Sequence, residues 1–156
     1  MRVALVTNTS WNIVNFRTNL IRALQKNGHE IHTLAPYDKY TKYLNAPGCI
    51  HHSIHMDSRG ANPLLDIALV TELWWKYRSV RPDVILHFTI KPNIYGTFAA
   101  ALLKIPTINN VCGLGTMFLK RGIINSAGAD ILVIGRAITG ADDPIQAAQN
   151  ILMDLQ

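Results

Sequence analysis

The sequence predicts an α/β fold: a Rossmann-like, doubly wound parallel sheet of about six strands inside a three-layer αβα sandwich. Three observations predict it. Short apolar runs such as Val84-Ile85-Leu86 and Ile131-Leu132-Val133-Ile134 read as strands covered on both faces. Helical patterns separate most of these runs, the spacing of right-handed βαβ units. The 156 residues, 49% of them hydrophobic, suffice for a single domain with a buried core.

Each element has its own signal. Val3–Thr7 is a buried-strand run, followed by the polar loop Asn8-Thr9-Ser10-Trp11-Asn12. Ile13, Phe16, Leu20, Ile21 and Leu24 recur on one side of a helix over 13–26, which Asn27-Gly28 ends. Glu30–Ala35 is the second strand and Pro36 stops it; Asp38–Leu44 is a short helix with Lys39 and Lys42 outward. Ile50–His55 alternates as the third strand. Asn62-Pro63 opens a long helix to about Val80, with Pro63 suited to its first turn, and Arg81-Pro82 breaks it. Asp83–Phe88 is strand four, Pro92–Leu103 an Ala-rich helix, and Pro106–Val111 strand five. Residues 113–122 form a Gly-rich loop, and Ile123–Ser126 a helical turn. Ile131–Ile134 is strand six. Asp142-Asp143-Pro144 then caps a helix over about 144–155, whose Ile145, Ala148, Ile151, Leu152 and Leu155 face inward.

Composition excludes several classes. A complete (β/α)₈ barrel needs about 250 residues, and an enzyme of two Rossmann domains does not fit either. No apolar run reaches the ~18–20 residues of a membrane span. The strand-like start Met1–Thr7 lacks a signal peptide's apolar core and cleavage site. Cys49 and Cys112 make neither a disulfide framework nor a zinc site, and read as reduced thiols of a cytoplasmic protein. No nucleic-acid motif is present, so no nucleic-acid partner is expected. The net charge of +5 is unevenly placed: residues 1–121 hold 14 basic and 6 acidic side chains, residues 122–156 hold 1 and 4. A basic body suits phosphorylated sugars or an anionic membrane surface.

In a doubly wound sheet, ligands sit beyond the carboxyl ends of the strands. Here those ends are Asn8–Asn12, Pro36–Lys39, Thr89–Asn93, Cys112–Thr116 and Gly135–Ala137. Lys91 stands at the start of a helix, where its ammonium and free N–H groups together suit an anion; a solvated lysine is the alternative. Gly113 and Gly115 permit close backbone approach to a ligand, or simply a turn. His51, His52 and His55 lie near Cys49, but alternation divides them between two faces, and no metal is expected. His87, inside strand four near its C-terminal end, is either catalytic or a hydrogen-bonded core histidine, the second being favoured. On the helix from Pro63, Trp74 and Trp75 beside Lys76, Arg78 and Arg81 suit a lipid interface, or a face buried against a partner.

Residues 1–120 resemble the N-terminal domain of family 4 glycosyltransferases of the bacterial polysaccharide and glycan type. The residues that carry this are Arg2-Val3-Ala4-Leu5-Val6-Thr7-Asn8, Asn15-Phe16-Arg17, Gly28-His29-Glu30 and Ala35-Pro36-Tyr37-Asp38. Most specific is His87-Phe88-Thr89-Ile90-Lys91-Pro92-Asn93-Ile94-Tyr95-Gly96, followed by Asn109-Asn110-Val111-Cys112-Gly113-Leu114-Gly115-Thr116. The resemblance implies two Rossmann-like domains with the active site between them, this half binding a lipid-linked or soluble sugar acceptor. It implies that Asn8, Asn12, His87, Lys91, Asn93, Asn110, Gly113 and Gly115 line the acceptor cleft. The domain that would hold the nucleotide sugar does not fit in this length. The expectation is a chain inactive alone, completed by that missing domain or by a second copy, cytoplasmic or peripheral to the inner membrane face, with no cofactor.

Residues 121–156 resemble another family. Ala127-Gly128-Ala129-Asp130-Ile131-Leu132-Val133-Ile134-Gly135-Arg136-Ala137-Ile138-Thr139, with Asp143-Pro144 and Ala147-Ala148, is similar to the last βα unit of orotidine 5′-phosphate decarboxylases and their sugar-phosphate relatives. That resemblance implies that Gly135 and Arg136 bind phosphate. The decarboxylases' Asp-x-Lys-x-x-Asp array is missing, so decarboxylation is not expected. The expected organisation is one Rossmann-like domain over 1–156, composed of a glycosyltransferase-like part (1–120) and a phosphate-barrel-like βα unit (121–156). An engineered chimera is the leading account of the junction, with a natural fusion, a frameshift or a mis-assembled gene as alternatives. Phosphate binding and a purely structural chain are therefore the competing functional readings.

Overall fold

β1 (Arg2–Val6) lies near the middle of a six-stranded sheet, where its apolar residues are covered from both sides. The computed structural model describes residues 1–45, 48–57, 62–111 and 130–154. β2 (Glu30–Ala35), β3 (Ile50–Ser53), β4 (Val84–Phe88), β5 (Thr107–Val111) and β6 (Ile131–Ile134) complete the sheet in the order β3-β2-β1-β4-β5-β6. Every pairing is parallel, with Val6 opposite Leu34 on one side and His87 on the other. The order reverses between β1 and β4, so the fold's switch point lies beyond Val6 and Phe88.

The period-two alternation of β1 separates two cores. Val3 and Leu5 pack with Ile13, Ile21, Ile31 and Phe88 beneath α1 (Ser10–Phe16) and α2 (Thr18–Lys26). Ala4 and Val6 pack with Leu69, Leu73, Tyr77, Ile85, Ala99 and Ala100 beneath α3 (Pro63–Val80) and α4 (Thr97–Leu102). The αβα sandwich expected from the sequence is thus present. β6 joins the sheet beside β5, and α5 (Arg136–Thr139) and α6 (Pro144–Asp154) follow it.

Several boundaries differ from the sequence reading. The helix expected over 13–26 is two helices, because Arg17 leaves the helical region at φ −121°, ψ −5°. It also starts early: the Thr9 side chain accepts from the Asn12 amide and caps the first turn at Ser10. Asp38–Leu44 is helical only from Thr41, as a 3₁₀ turn, because the Asp38 carboxylate accepts from the Tyr40 amide and holds a tighter bend. Strand three stops at Ser53, two residues short. The Pro92 helix opens with a wide π turn over Pro92–Gly96, and α5 forms where a loop was expected. The apolar residues of the last βα unit are less covered than their pattern implies. Ile131 and Val133 on β6 are exposed, and so are Ile145 and Leu152 on α6, which packs along α5. The Gly-rich loop and the turn at Ile123–Ser126 lie outside the described residues.

The core beneath α3 and α4 holds a buried polar cluster at His87. Its Nε2 lies 3.0 Å from the Tyr77 hydroxyl and its Nδ1 lies 2.8 Å from Asn109 Oδ1. The Thr97 hydroxyl lies 3.3 Å from the same Nδ1 and donates to the Asn93 carbonyl. Tyr77, His87, Thr97 and Asn109 are all fully buried. Burial holds the imidazole neutral, with its pKa lowered to about 4 although the bond to Asn109 opposes the shift. Gly96 packs directly over this cluster. A Cβ there would stand 2.5 Å from His87 Nε2 and 2.9 Å from the Tyr77 hydroxyl.

Gly96→Ala is therefore expected to lower unfolding free energy by about 2–3 kcal/mol in denaturant titration, since a packed core accommodates added volume only by strain. The imidazole also predicts a pH effect. The unfolded chain binds the His87 proton near pH 6.5 and the folded chain only near pH 4. Stability is complete above pH 6.5 and falls by on the order of 3 kcal/mol as pH drops to 4. Unfolding midpoints measured across this range should flatten in His87→Gln; an unchanged slope would contradict the assignment.

Candidate functional site

Asn8 and Asn12 follow β1, and Thr89 to Asn93 follow β4, so the two sides of the switch point supply one polar surface. Asn8 and Asn12 are half-buried and Asn93 is buried. Asn93 donates through Nδ2 to the Asn110 carbonyl at 2.9 Å, which ties the end of β4 to the end of β5. Three oxygens of this surface, Asn12 Oδ1, Thr89 Oγ1 and Asn93 Oδ1, are buried without a hydrogen-bond partner among the described residues. Such groups are costly unless something meets them.

Thr89 adds backbone strain. Its φ is +73°, a left-handed conformation that a β-branched residue adopts at a cost of about 1–3 kcal/mol. The Asn93 amide donates back to the Thr89 carbonyl and so secures this sharp exit from the strand. Arg17 reaches the same end of β4, with its guanidinium 4.2 Å from the centre of the Phe88 ring.

Lys91 has a partner within the chain. Its Nζ lies 2.6 Å from Asp66 Oδ1, and the Tyr95 hydroxyl donates to Asp66 Oδ2 at 2.7 Å. Asp66 stands in the first turn of α3, capped by Asn62, whose Oδ1 accepts from the Leu64 amide. Burial pushes the Asp66 carboxyl up, but the Lys91 and Tyr95 hydrogen bonds outweigh it and hold the pKa below its usual value. Burial, reinforced by this carboxylate, pushes the Tyr95 phenol up to about 12. Beside the triad opens a cavity of about 260 Å³, with Met56, Leu65 and Leu69 on an apolar wall. His55, Glu72, Asp66 and Lys91 form its polar wall, and His55 Nδ1 lies 3.2 Å from Glu72 Oε1.

The remaining candidates fall elsewhere. His87 lies one layer below the surface in the cluster described above, and Asn110, next to last in β5, pairs with Phe88. Gly135 follows β6, and its carbonyl accepts from the Ile138 and Thr139 amides that open α5; Arg136 is the first residue of that helix. Gly113 and Gly115 lie outside the described residues. The histidines of β3 bond across strands: His51 Nδ1 to Thr33 at 3.1 Å and His52 Nε2 to His32 at 2.9 Å. Burial, with His32 and Lys76 nearby, lowers the His52 pKa to about 4, and burial raises the Cys49 thiol to about 11. The sequence reading missed Asp66, Tyr95 and Thr89. Asp66 was legible as an acid in the first turn of a Pro-initiated helix, whereas the Thr89 strain has no sequence signal.

The model of the family described as "Glycosyl transferase 4-like" matches residues 2–133. This chain belongs to that family. The match continues through most of β6, beyond position 121. A curated relative is the N,N′-diacetylbacillosaminyl-diphospho-undecaprenol α-1,3-N-acetylgalactosaminyltransferase of Campylobacter jejuni, 27% identical over 123 residues. Those residues are 78% of this chain and 33% of that enzyme, so this glycosyl transferase 4-like chain spans about a third of the relative's length. Among solved structures, MurG of Acinetobacter baumannii superposes with a TM-score of 0.65 at 16% identity, over 84% of this chain and 40% of that one. UDP-GlcNAc 2-epimerase of Methanocaldococcus jannaschii superposes with a TM-score of 0.69 at 16% identity, over 99% and 42%. At that identity these structures speak for the fold of the glycosyl transferase 4-like chain alone.

Asp66 and Lys91 are each nearly buried, so breaking the pair strands a charge. Lys91→Met and Asp66→Asn should each cost about 2–4 kcal/mol of stability. The double variant should cost clearly less than their sum, a coupling that a double-mutant cycle in urea reads directly.

Proposed function

We propose that this chain is the acceptor-binding half of a glycosyltransferase, that its acceptor is a lipid-linked sugar, and that it works at the anionic surface of a membrane. The single observation carrying this reading is the switch-point surface, where a strained Thr89 and three buried oxygens without partners leave hydrogen-bonding capacity of the kind a polyhydroxylated ligand meets. Family membership supplies the reaction class, and the curated relative's name specifies a diphospho-undecaprenol-linked sugar as its acceptor.

In this reading Asn8, Asn12 and Asn93 hydrogen-bond the acceptor sugar, and Asn110 is held in place by Asn93. The family resemblance adds Gly113 and Gly115 as further acceptor-contact residues. His87 is a positioning residue: it shapes the end of β4 through Asn93 and Thr97 without reaching the ligand. Lys91, neutralised by Asp66, fixes the wall of the adjoining cavity, which is of a size for one sugar-sized group. Transfer itself needs a second domain, or a partner chain, to hold the nucleotide sugar; the chain's share of its relative's length supports this division.

A second reading treats residues 121–156 as a βα unit joined from a phosphate-binding barrel, with Gly135 and Arg136 as phosphate ligands. It is favoured by the exposure of Ile131 and Val133, an unusual state for a continuous apolar strand. The family match through residue 133 weighs against a junction at 121.

Calorimetric titration separates the two readings. A water-soluble diphosphate-linked N-acetyl sugar should bind, and Asn12→Ala should weaken binding roughly tenfold, by loss of one hydrogen bond to the ligand. Binding of ribose 5-phosphate alone, abolished in Arg136→Ala, would replace the acceptor reading with the phosphate-module reading.

A further inference from the structure

We infer that the outer faces of α3 and α4 form a bilayer-docking surface that seats this chain on anionic lipid. The inference rests on the lipid-linked acceptor reading and adds which face of the molecule meets the membrane.

α3 buries Leu69, Leu73, Tyr77 and Val80 against the sheet, the i, i+4 stripe of a helix packed on one side. Its opposite side is apolar as well. Leu64 is 76% exposed, Ile67 65% and Trp75 61%, and these residues share the outward face with Ala68 and Thr71. α4, packed beside α3, adds Phe98 at 52% and Leu102 at 62%. Isolated exposed apolar side chains are ordinary; five large ones on two adjacent helices form a patch of the kind that marks an interaction surface.

Charge decides the occupant. Neither helix exposes an acidic side chain on this face. The two acids of α3 turn aside, Asp66 to Lys91 and Tyr95, and Glu72 to His55. The charges at the C-terminal ends of the two helices are all basic: Arg78 and Arg81 at the end of α3, and Lys104 just after α4. The Arg78 guanidinium stacks on Trp74, 5.6 Å from its ring centre, and Trp74 meets Trp75 edge to face at 5.1 Å. Indoles under a guanidinium, next to a leucine-rich face without acids, match the headgroup boundary of an anionic bilayer in both polarity and charge. The 18-residue α3 would lie in the interface plane, since no described helix is long and apolar enough to cross a membrane. Lying so, it places Leu64 and Ile67 at the lipid while Asp66, between them in sequence, stays latched to Lys91.

Flotation with phosphatidylcholine–phosphatidylglycerol vesicles at low salt tests the surface. The chain should float with the mixed vesicles and not with phosphatidylcholine alone. Trp75→Ser/Phe98→Ser should weaken partitioning at least about tenfold. Arg78→Gln/Lys104→Gln should weaken it by on the order of tenfold or more and flatten its salt dependence. Both double variants change exposed side chains, so their circular dichroism and their titration with the water-soluble acceptor should match the parent's. Absence of flotation, or flotation unchanged in both variants, overturns the docking surface. So does sedimentation as a dimer that the Trp75/Phe98 variant dissolves, which would give the face to a second copy. Retained acceptor binding in any of these cases leaves the acceptor reading standing, and its loss in the parent chain counts against that reading alone.

Discussion

A neutral imidazole with no access to water ties together the elements packed around β4. His87 sits on the strand next to the switch point and meets Tyr77 from α3, Asn109 from β5 and Thr97 from α4. Every group in the cluster is buried, so each hydrogen bond that forms also removes a desolvation penalty. The consequence reaches the surface. Thr97 donates to the Asn93 carbonyl, Asn93 holds the Asn110 carbonyl, and the Asn93 amide secures Thr89. The end of β4 is therefore positioned from below by a buried hydrogen-bond network.

A second electrostatic centre, at Asp66, serves the neighbouring wall. One carboxylate accepts from both Lys91 and Tyr95, so the start of α3 and the opening of the α4 segment are joined by a single charged group. A basic body that looked free to attract anions thus has one of its best-placed ammonium groups already matched within the fold. The basic groups at the far end of α3, Arg78 and Arg81, are exposed.

How much of this was legible in the sequence depends on the range of the interaction. Strand identity followed from local apolar runs: β2 and β5 lie where their patterns and flanking prolines put them, and β6 pairs in the same sheet. Helix ends were less legible where a side chain decided them. The Thr9 cap moved α1 forward, and the Asp38 turn shortened the segment before β3. Inward facing failed for Ile145 and Leu152, because periodicity reports an apolar stripe and not what that stripe packs on. In the site, the asparagines after β1 and β4 were readable from strand-end position. The Asp66 partnership was not, since it links residues 25 apart through the tertiary fold. His87 was readable as a hydrogen-bonded core histidine, and it is fully buried with three partners.

Thr89 carries a consequence for the history open to this sequence. At φ +73° glycine would hold the same backbone without penalty and would relieve an unpartnered hydroxyl as well. A chain under pressure for robustness alone would drift to that replacement, because stabilising substitutions are common where function does not forbid them. Keeping threonine trades folding margin for a fixed hydroxyl at the mouth of β4. Variants selected for heat tolerance would be expected to relax this position early.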